Sequence, residues 1–281
     1  MSAKILSGKD LASKIKEELK QEVQKLKEQG IVPGLAVIIV GDNPASRMYV
    51  NMKKNDCAQV GIESYEYAFG SDITEDELIG TIEKLNNDPK VFGILVQLPL
   101  PKHIDEKKII FKIDPQKDVD CFHPVNAGRL FTDSPMFLPC TPAGIMELLE
   151  EYKIEIKGKE CVVVGRSNIV GKPQAILLLN KHGTVTICHS RTKNLSEVTK
   201  RADVLVVAVG RAGFIKGEDV KPGAVVIDVG ANKDENNKTV GDTEFSSVSE
   251  VASAITPPVG GVGPMTRAML LKNTVTSAKN R

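Results

Sequence analysis

Apolar positions Leu11, Ile15, Leu19, Val23 and Leu26 recur at spacings of four and three, which predicts an amphipathic opening helix stopped by Gly30. Pro33-Gly34 then leads into an unbroken apolar run, Leu35–Val40, of strand length. Gly41-Asp-Asn-Pro44 is turn chemistry: Asp42 or Asn43 can cap a helix, and Pro44 is tolerated at its first position, so a helix is expected over about 45–60. A second unit of the same kind follows. Thr74-Glu-Asp-Glu77 is a capping box, and Val91–Val96 is a buried strand cut off by Leu98-Pro-Leu-Pro101, because proline cannot donate to a strand ladder.

Thr141-Pro142 opens another helix, through roughly Tyr152, and beyond it the rhythm changes. Short apolar runs at Cys161–Val164, Val185–Cys188, Val204–Val209, Ala224–Asp228 and Ala252–Ile255 alternate with turns and helical or loop segments. That alternation indicates parallel strands joined by crossovers. A domain boundary is therefore expected near residues 139–141. Gly260-Gly-Val-Gly-Pro264 reads as a flexible loop, and Met265 to about Ala278 as a final amphipathic helix able to pack on either domain.

Composition adds mainly exclusions. With 281 residues and 41% hydrophobic content there is core enough for two modest domains. A formal net charge of +1 argues against nucleic-acid or membrane-surface partners, which ask for clustered basic residues. No apolar run approaches the roughly 20 residues that span a bilayer. The first thirty residues carry Glu17, Glu18 and Glu22 without a continuous apolar core, unlike a signal peptide. Five cysteines without metal-site spacing suit reduced thiols in a cytosolic protein. The four histidines are isolated, so no metal site is expected.

Two segments carry candidate chemistry. Cys161–Val164 followed by Gly165-Arg-Ser-Asn-Ile-Val-Gly171 reads as strand, tight turn and helix. Gly165 permits backbone to approach a phosphate, Gly171 permits close helix–strand packing, and amides at the helix start can hold a pyrophosphate. Ser167 stands where the second glycine of the usual dinucleotide motif would be, and the third glycine comes one residue late. At the end of the next strand, where NAD enzymes usually place an acid for the ribose 2′-hydroxyl, His189-Ser-Arg-Thr192 has none. Ser190, Arg166 and Arg191 instead suit a 2′-phosphate dianion, which favours NADP over NAD.

Upstream, Tyr49 and Lys53 lie four apart on the helix after Pro44 and share one face. A tyrosine ring can stack on a flat substrate, and a lysine in a semi-apolar cleft loses proton affinity and becomes a usable base. Lys54 is expected in solvent. Gln97 closes a strand at its C-terminal end, where α/β sheets bind ligands. Asp114, Asp118 and Asp120 crowd one loop, and spacing does not choose among them.

Val40-Gly-Asp-Asn-Pro-Ala-Ser46, Tyr49-Val50 with Lys53, Gly93–Pro101, Lys117-Asp-Val-Asp120, Val164-Gly-Arg-Ser167 and Gly260-Gly-Val-Gly-Pro-Met-Thr266 resemble, in order, bifunctional methylenetetrahydrofolate dehydrogenase/cyclohydrolases. The resemblance implies two α/β domains around a cleft, the C-terminal one a Rossmann-type doubly wound parallel sheet. Residues 1–139 would form the folate-binding catalytic domain, 140–264 the NADP-binding domain, and the helix 265–281 would return to the first. It implies NADP-dependent oxidation of 5,10-methylenetetrahydrofolate to the methenyl compound, then hydrolysis to 10-formyltetrahydrofolate. The alternatives are a dehydrogenase without the hydrolase and a non-catalytic NADP- or folate-binding regulator.

By that resemblance Lys53 is the catalytic lysine, Gln97 tunes it, Asp120 anchors the pterin and Tyr49 stacks on the folate. Leu98, Pro257, Gly260 and Gly261 complete the substrate site. Gly165, Arg166, Ser167, Ser190, Arg191 and Ala231 line the cofactor, and a cytoplasmic homodimer formed through the nucleotide domains is implied. Five positions depart from the family: Cys121 for glycine, with a side chain that crowds the pterin pocket; Pro258-Val259 in exchanged order; Ala231 for isoleucine, a smaller apolar surface beside the cofactor; and Asn55 for a second lysine.

Overall fold

A computed structural model describes residues 2–280; Met1 and Arg281, the outermost residues of the expected domains, lie outside the described residues. In chain order the first elements are β1 (Lys4–Ile5), α1 (Gly8–Glu28), β2 (Gly34–Val40), α2 (Pro44–Val60), β3 (Glu63–Phe69), α3 (Glu75–Asn87), β4 (Gly93–Val96), α4 (Glu106–Ile110) and α5 (Pro124–Phe131). Then come α6 (Cys140–Glu151), β5 (Glu160–Val164), α7 (Gly171–Asn180), β6 (Thr184–Cys188), α8 (Leu195–Thr199), β7 (Val204–Val207) and β8 (Val225–Asp228). The chain ends with β9 (Asn232–Lys233), β10 (Thr239–Val240), α9 (Phe245–Val251), β11 (Ala254–Ile255) and α10 (Val262–Lys279). It divides into two units, residues 13–140 with 267–280 and residues 2–12 with 141–266.

The first of these is built on a three-stranded parallel sheet, β3-β2-β4. All seven residues of central β2 are buried, as its unbroken apolar run requires. Its core gathers Ile38, Ile94, Leu78 and Ile82, each fully excluded from water and each worth about 1.5–3 kcal/mol in transfer free energy. Asn43 Oδ1 accepts from Ser46 N at 3.1 Å to start α2, and Gly61 at φ +89° ends it. The Thr74 capping box forms as its sequence predicts, with Glu77 answering the Thr74 amide. Edge strand β3 is absent from the sequence expectations. Its Tyr65, Tyr67 and Phe69 pack on the core while Glu66 and Ala68 face solvent, so no continuous apolar run marks it.

The second unit contains a six-stranded, wholly parallel sheet in the order β1-β11-β8-β7-β5-β6. From β5 the chain adds β6 on one side, then crosses to add β7, β8 and β11 on the other. The order therefore reverses between β5 and β7, the switch point at which doubly wound sheets bind ligands.

Two expectations are corrected. Strand β1 joins the six-stranded sheet and not the sheet of the N-terminal domain: it pairs with β11, and Ala3, Lys4 and Leu6 donate to Ser249, Ser253 and Ile255 at 2.8–2.9 Å. A two-residue strand has no periodicity, so only its distant partner defines it. The last helix starts at Val262, which takes Gly263 and Pro264 out of the expected loop. Nor is it amphipathic. Ala268, Leu270, Leu271, Thr274 and Ser277 are all buried, and the two hydroxyls are answered by Leu270 O at 2.9 Å and Phe92 O at 2.7 Å. Small and hydroxylated residues let a helix be covered on several faces without stranding polar groups.

Candidate active site

The first turns of α2 present Tyr49, 37% exposed, and one turn later Lys53, half-buried. Lys53 Nζ donates to Gln97 Oε1 at 3.0 Å. Gln97 immediately follows β4, and its own Nε2 donates to Leu98 O at 2.8 Å, which aims the amide oxygen at the lysine. Its backbone amide donates to Ile38 O at 2.8 Å. Gln97 is thus held by β4 and β2, and Lys53 is presented to it by α2. Burial pushes the Lys53 pKa below the ordinary lysine value; the Asp120 carboxylate opposes the shift and the Arg267 cation adds to it.

The three carboxylates that spacing left open separate clearly. Asp114 Oδ1 accepts from Gln116 N at 2.8 Å in a turn. Asp118, buried, accepts from the Phe122 and His123 amides at 3.1 and 2.8 Å and from Asn126 Nδ2 at 2.8 Å, a knot within the loop. Asp120 is the one whose charge couples to Lys53. Burial lifts its pKa to about 6, the Lys53 cation holds it down and Asp118 pushes it further up. Its neighbours Val119 and Leu138 are pinned through their carbonyls by Asn273 Nδ2, at 2.8 and 2.9 Å. Lys117 of the same motif is structural: fully buried, it donates to Leu85 O and Asp88 O at 2.7 and 2.8 Å.

Cys121 sits at φ +63°, the left-handed region where glycine is at ease. Its thiol is buried and donates to Phe137 O at 3.3 Å. Lys54 is exposed, with Glu66 at 3.7 Å. Sequence reasoning missed Asp56, Cys140, Arg267 and Asn273, which surround the same region from α2, α6 and α10. None belongs to a motif of its own, and the partners of Arg267 and Asn273 lie more than 130 positions away.

The remaining site residues lie in the other unit. Gly165, at φ +137°, ends β5 at the switch point; a Cβ there would meet Ala208 O, after β7, at 2.3 Å. A Cβ on Gly171 would meet Gly165 O at 2.2 Å. Both glycines are therefore obligatory for the turn. Ser167 Oγ accepts from the Val170 and Gly171 amides at 3.1 and 3.2 Å. Two amides at the start of the helix thus bond to this serine, and residues 166–169 before it are exposed. Arg166, Ser190, Arg191 and Ala231 are exposed in loops after β5, β6 and β8. Two guanidinium groups and a hydroxyl, with no acid among them, fit the 2′-phosphate of NADP.

In that unit Gly260 O accepts from the Gly8 and Lys9 amides, both at 2.8 Å. A Cβ on Gly261 would meet Pro257 O at 2.3 Å, so this loop too is shaped by the absence of side chains. Asp242, also unforeseen, holds the loop after β7: its carboxylate accepts from the Val209, Gly210 and Arg211 amides at 2.6–3.0 Å and from Asn232 Nδ2 at 2.8 Å. Among the described residues no group of three or more His, Cys, Asp or Glu side chains is placed to hold a metal.

Fold and donor set together define a dinucleotide-binding enzyme of the α/β class. The chain belongs to the tetrahydrofolate dehydrogenase/cyclohydrolase family: residues 6–120 match its catalytic domain and residues 139–281 its NAD(P)-binding domain. It is 68% identical to the bifunctional protein FolD of Acetivibrio thermocellus, over 99% of this chain and 98% of that one. A crystal structure of the bifunctional FolD methylenetetrahydrofolate dehydrogenase/cyclohydrolase from Campylobacter jejuni superposes with a TM-score of 0.97 at 52% identity, covering both chains fully. The Trypanosoma brucei FolD complexed with NADP cofactor and inhibitor superposes at 0.96 with 39% identity, over 100% of this chain and 98% of that one.

Proposed function

We propose that this chain oxidises 5,10-methylenetetrahydrofolate with NADP and hydrolyses the methenyl product to 10-formyltetrahydrofolate, with Lys53 as the proton-handling group. The observation that carries the reading is the Lys53–Gln97 bond beside Asp120. The residues of the Gly165 turn would hold NADP, which would supply the hydride acceptor for oxidation of the methylene carbon.

The methenyl cation is electron-poor, so a neutral amine acting on water is base enough. Lys53 takes a proton from water as its oxygen bonds to the methenyl carbon. The resulting ammonium returns a proton to N5 as the carbon–N5 bond breaks, and the hydroxyl proton leaves for solvent as the formyl group forms on N10. Gln97 accepts from the lysine and fixes its direction. Asp120, as a carboxylate, receives the N–H donors on the amino-pyrimidinone edge of the pterin, and Tyr49 offers its ring face. Leu98, Pro257, Gly260 and Gly261 are assigned to the folate; Gly165, Arg166, Ser167, Ser190, Arg191 and Ala231 to NADP.

We assign a homodimer formed through edge strand β6, where Ile187 and the nearby Leu179 are 41% and 55% exposed. Sedimentation of the chain as a monomer would remove it. Five free, buried thiols suit a reducing compartment, and we place the enzyme in the cytoplasm.

The test is reduced-nicotinamide absorbance from methylenetetrahydrofolate with NADP and with NAD, followed by hydrolysis of the methenyl compound. Turnover with NADP and loss of methenyl absorbance are expected. Faster turnover with NAD would overturn the roles of Arg166, Ser190 and Arg191.

A further inference from the structure

Arg267, on α10, reaches α2 on both sides of Lys53. Its Nε donates to Asp56 Oδ2 at 2.6 Å, and its Nη1 lies 3.6 Å from Met52 Sδ. Asp56 Oδ1 accepts in turn from Lys16 Nζ at 2.9 Å. The carboxylate is almost wholly buried, and both cations are largely so. A buried carboxylate needs one cation to balance it, and Lys16 already does so. Arg267 therefore brings a second cation to a carboxylate that already has one, and it does so within one turn on either side of Lys53.

We propose that Arg267 is a positioning residue for Lys53: through Asp56 and Met52 it fixes the turn of α2 that carries the amine, and it keeps a second cation near it. Like charge disfavours the ammonium form, so Arg267 works with burial to lower the proton affinity of Lys53, against the Asp120 carboxylate. The other groups facing Lys53 are Gln97, Asp120, Cys140 and Cys57, with Asp56 and Lys16 behind Arg267. Gln97 is uncharged. Burial holds both thiols protonated, pushing Cys57 to about 12 and Cys140 well above the usual thiol range, so neither adds charge at neutral pH. Asp120 and the Arg267 cluster are then the two opposed charges that set the proton affinity of the lysine.

This inference rests on Lys53 acting as the proton acceptor. The experiment follows the pH profile of methenyl hydrolysis and, separately, titrates Lys53 by NMR of ε-13C lysine, its resonance identified by loss in Lys53→Met. In Arg267→Gln, with folding checked by thermal melting, both the activity limb and the NMR midpoint are expected to move up by about half a pH unit or more. Hydrolysis at neutral pH falls about threefold or more in consequence. Arg267→Lys returns the midpoint because it restores the charge. Asp56→Asn keeps both cations, removes the anion and moves the midpoint down; it also serves if Arg267→Gln does not fold. A midpoint that stays put in the folded variant, with activity lost equally at every pH, overturns the proposal and leaves Arg267 a packing residue. A midpoint that moves while the activity limb does not would instead remove Lys53 from proton transfer, and the underlying reading with it.

Discussion

Residues 13–140 with 267–280 carry their chemistry on side chains that burial has altered, whereas residues 2–12 with 141–266 carry it on backbone that side chains must stay clear of. In the first, Lys53, Gln97 and Asp120 matter for charge and proton affinity. In the second, Gly165, Gly171 and Gly261 matter because a single added carbon would strike a carbonyl oxygen. The difference teaches where each site is vulnerable. One should fail on isosteric loss of a functional group, the other on gain of a methyl.

The sharpest break would come from Lys53→Met, which keeps most of the side-chain volume and removes the amine. Hydrolysis of the methenyl compound should fall by about 10²–10⁴-fold, the usual scale for a general base, with the fold intact by circular dichroism. Retained hydrolysis would take Lys53 out of its role. On the other side, Gly165→Ala places a Cβ at φ +137° against Ala208 O. It should lower stability by about 1–3 kcal/mol and raise KM for NADP tenfold or more, with folate binding little changed. An unaffected KM would mean that the turn is not defined by backbone.

Next in size is a trade of stability against binding. Asp120 has its folded pKa raised from the usual 3.8 to about 6, so the folded state binds the extra proton in that window. That contribution to stability is present at low pH and lost as pH rises through 6, where the buried anion becomes a burden. Asp120→Asn should therefore melt higher than the unsubstituted chain at pH 8, by a margin that shrinks toward pH 4, while binding folate more weakly. A lower melting temperature at pH 8 would contradict the direction. The smallest effect is expected from Cys121→Gly. Relief of a left-handed backbone, about 1 kcal/mol, is offset by loss of the buried thiol and its bond to Phe137 O, so melting should shift by only a few degrees.

Much of the frame could be read along the chain, because local physics alone produces it. The runs Leu35–Val40 and Cys161–Val164 are strands in any parallel sheet, the run Val204–Val209 forms one over its first four residues, and the Asn43 and Thr74 caps bond within three residues. Edge strand β3, two-residue β1 and the burial of α10 could not be read so. Each is defined by a partner far away, and half-exposed or very short elements lack periodicity of their own.

At the sites the division is finer. Gly165 and Gly171 were legible because a tight turn after a strand needs glycine wherever it occurs. Lys53 and Tyr49 were legible as one helix face, and the long ordered motifs pointed to a folate. The choice of Asp120 over Asp114 and Asp118 was not open to spacing, since all three are carboxylates in one loop and only their hydrogen bonds and burial tell them apart.

By itself the sequence determined the parallel strands, the glycine turn, the absence of an acid after β6 and the lysine with its tyrosine one turn away. Only the tertiary structure decided that Asp120 is the carboxylate coupled to that lysine, that Ser167 takes the first amides of α7, that the N-terminal strand joins the six-stranded sheet and that Arg267 and Asn273 reach the region of Lys53 and Asp120 from the last helix. The reason is physical. Propensities, caps and turns act over a few residues, whereas desolvation and charge coupling depend on which distant segments exclude water from the same few cubic ångströms.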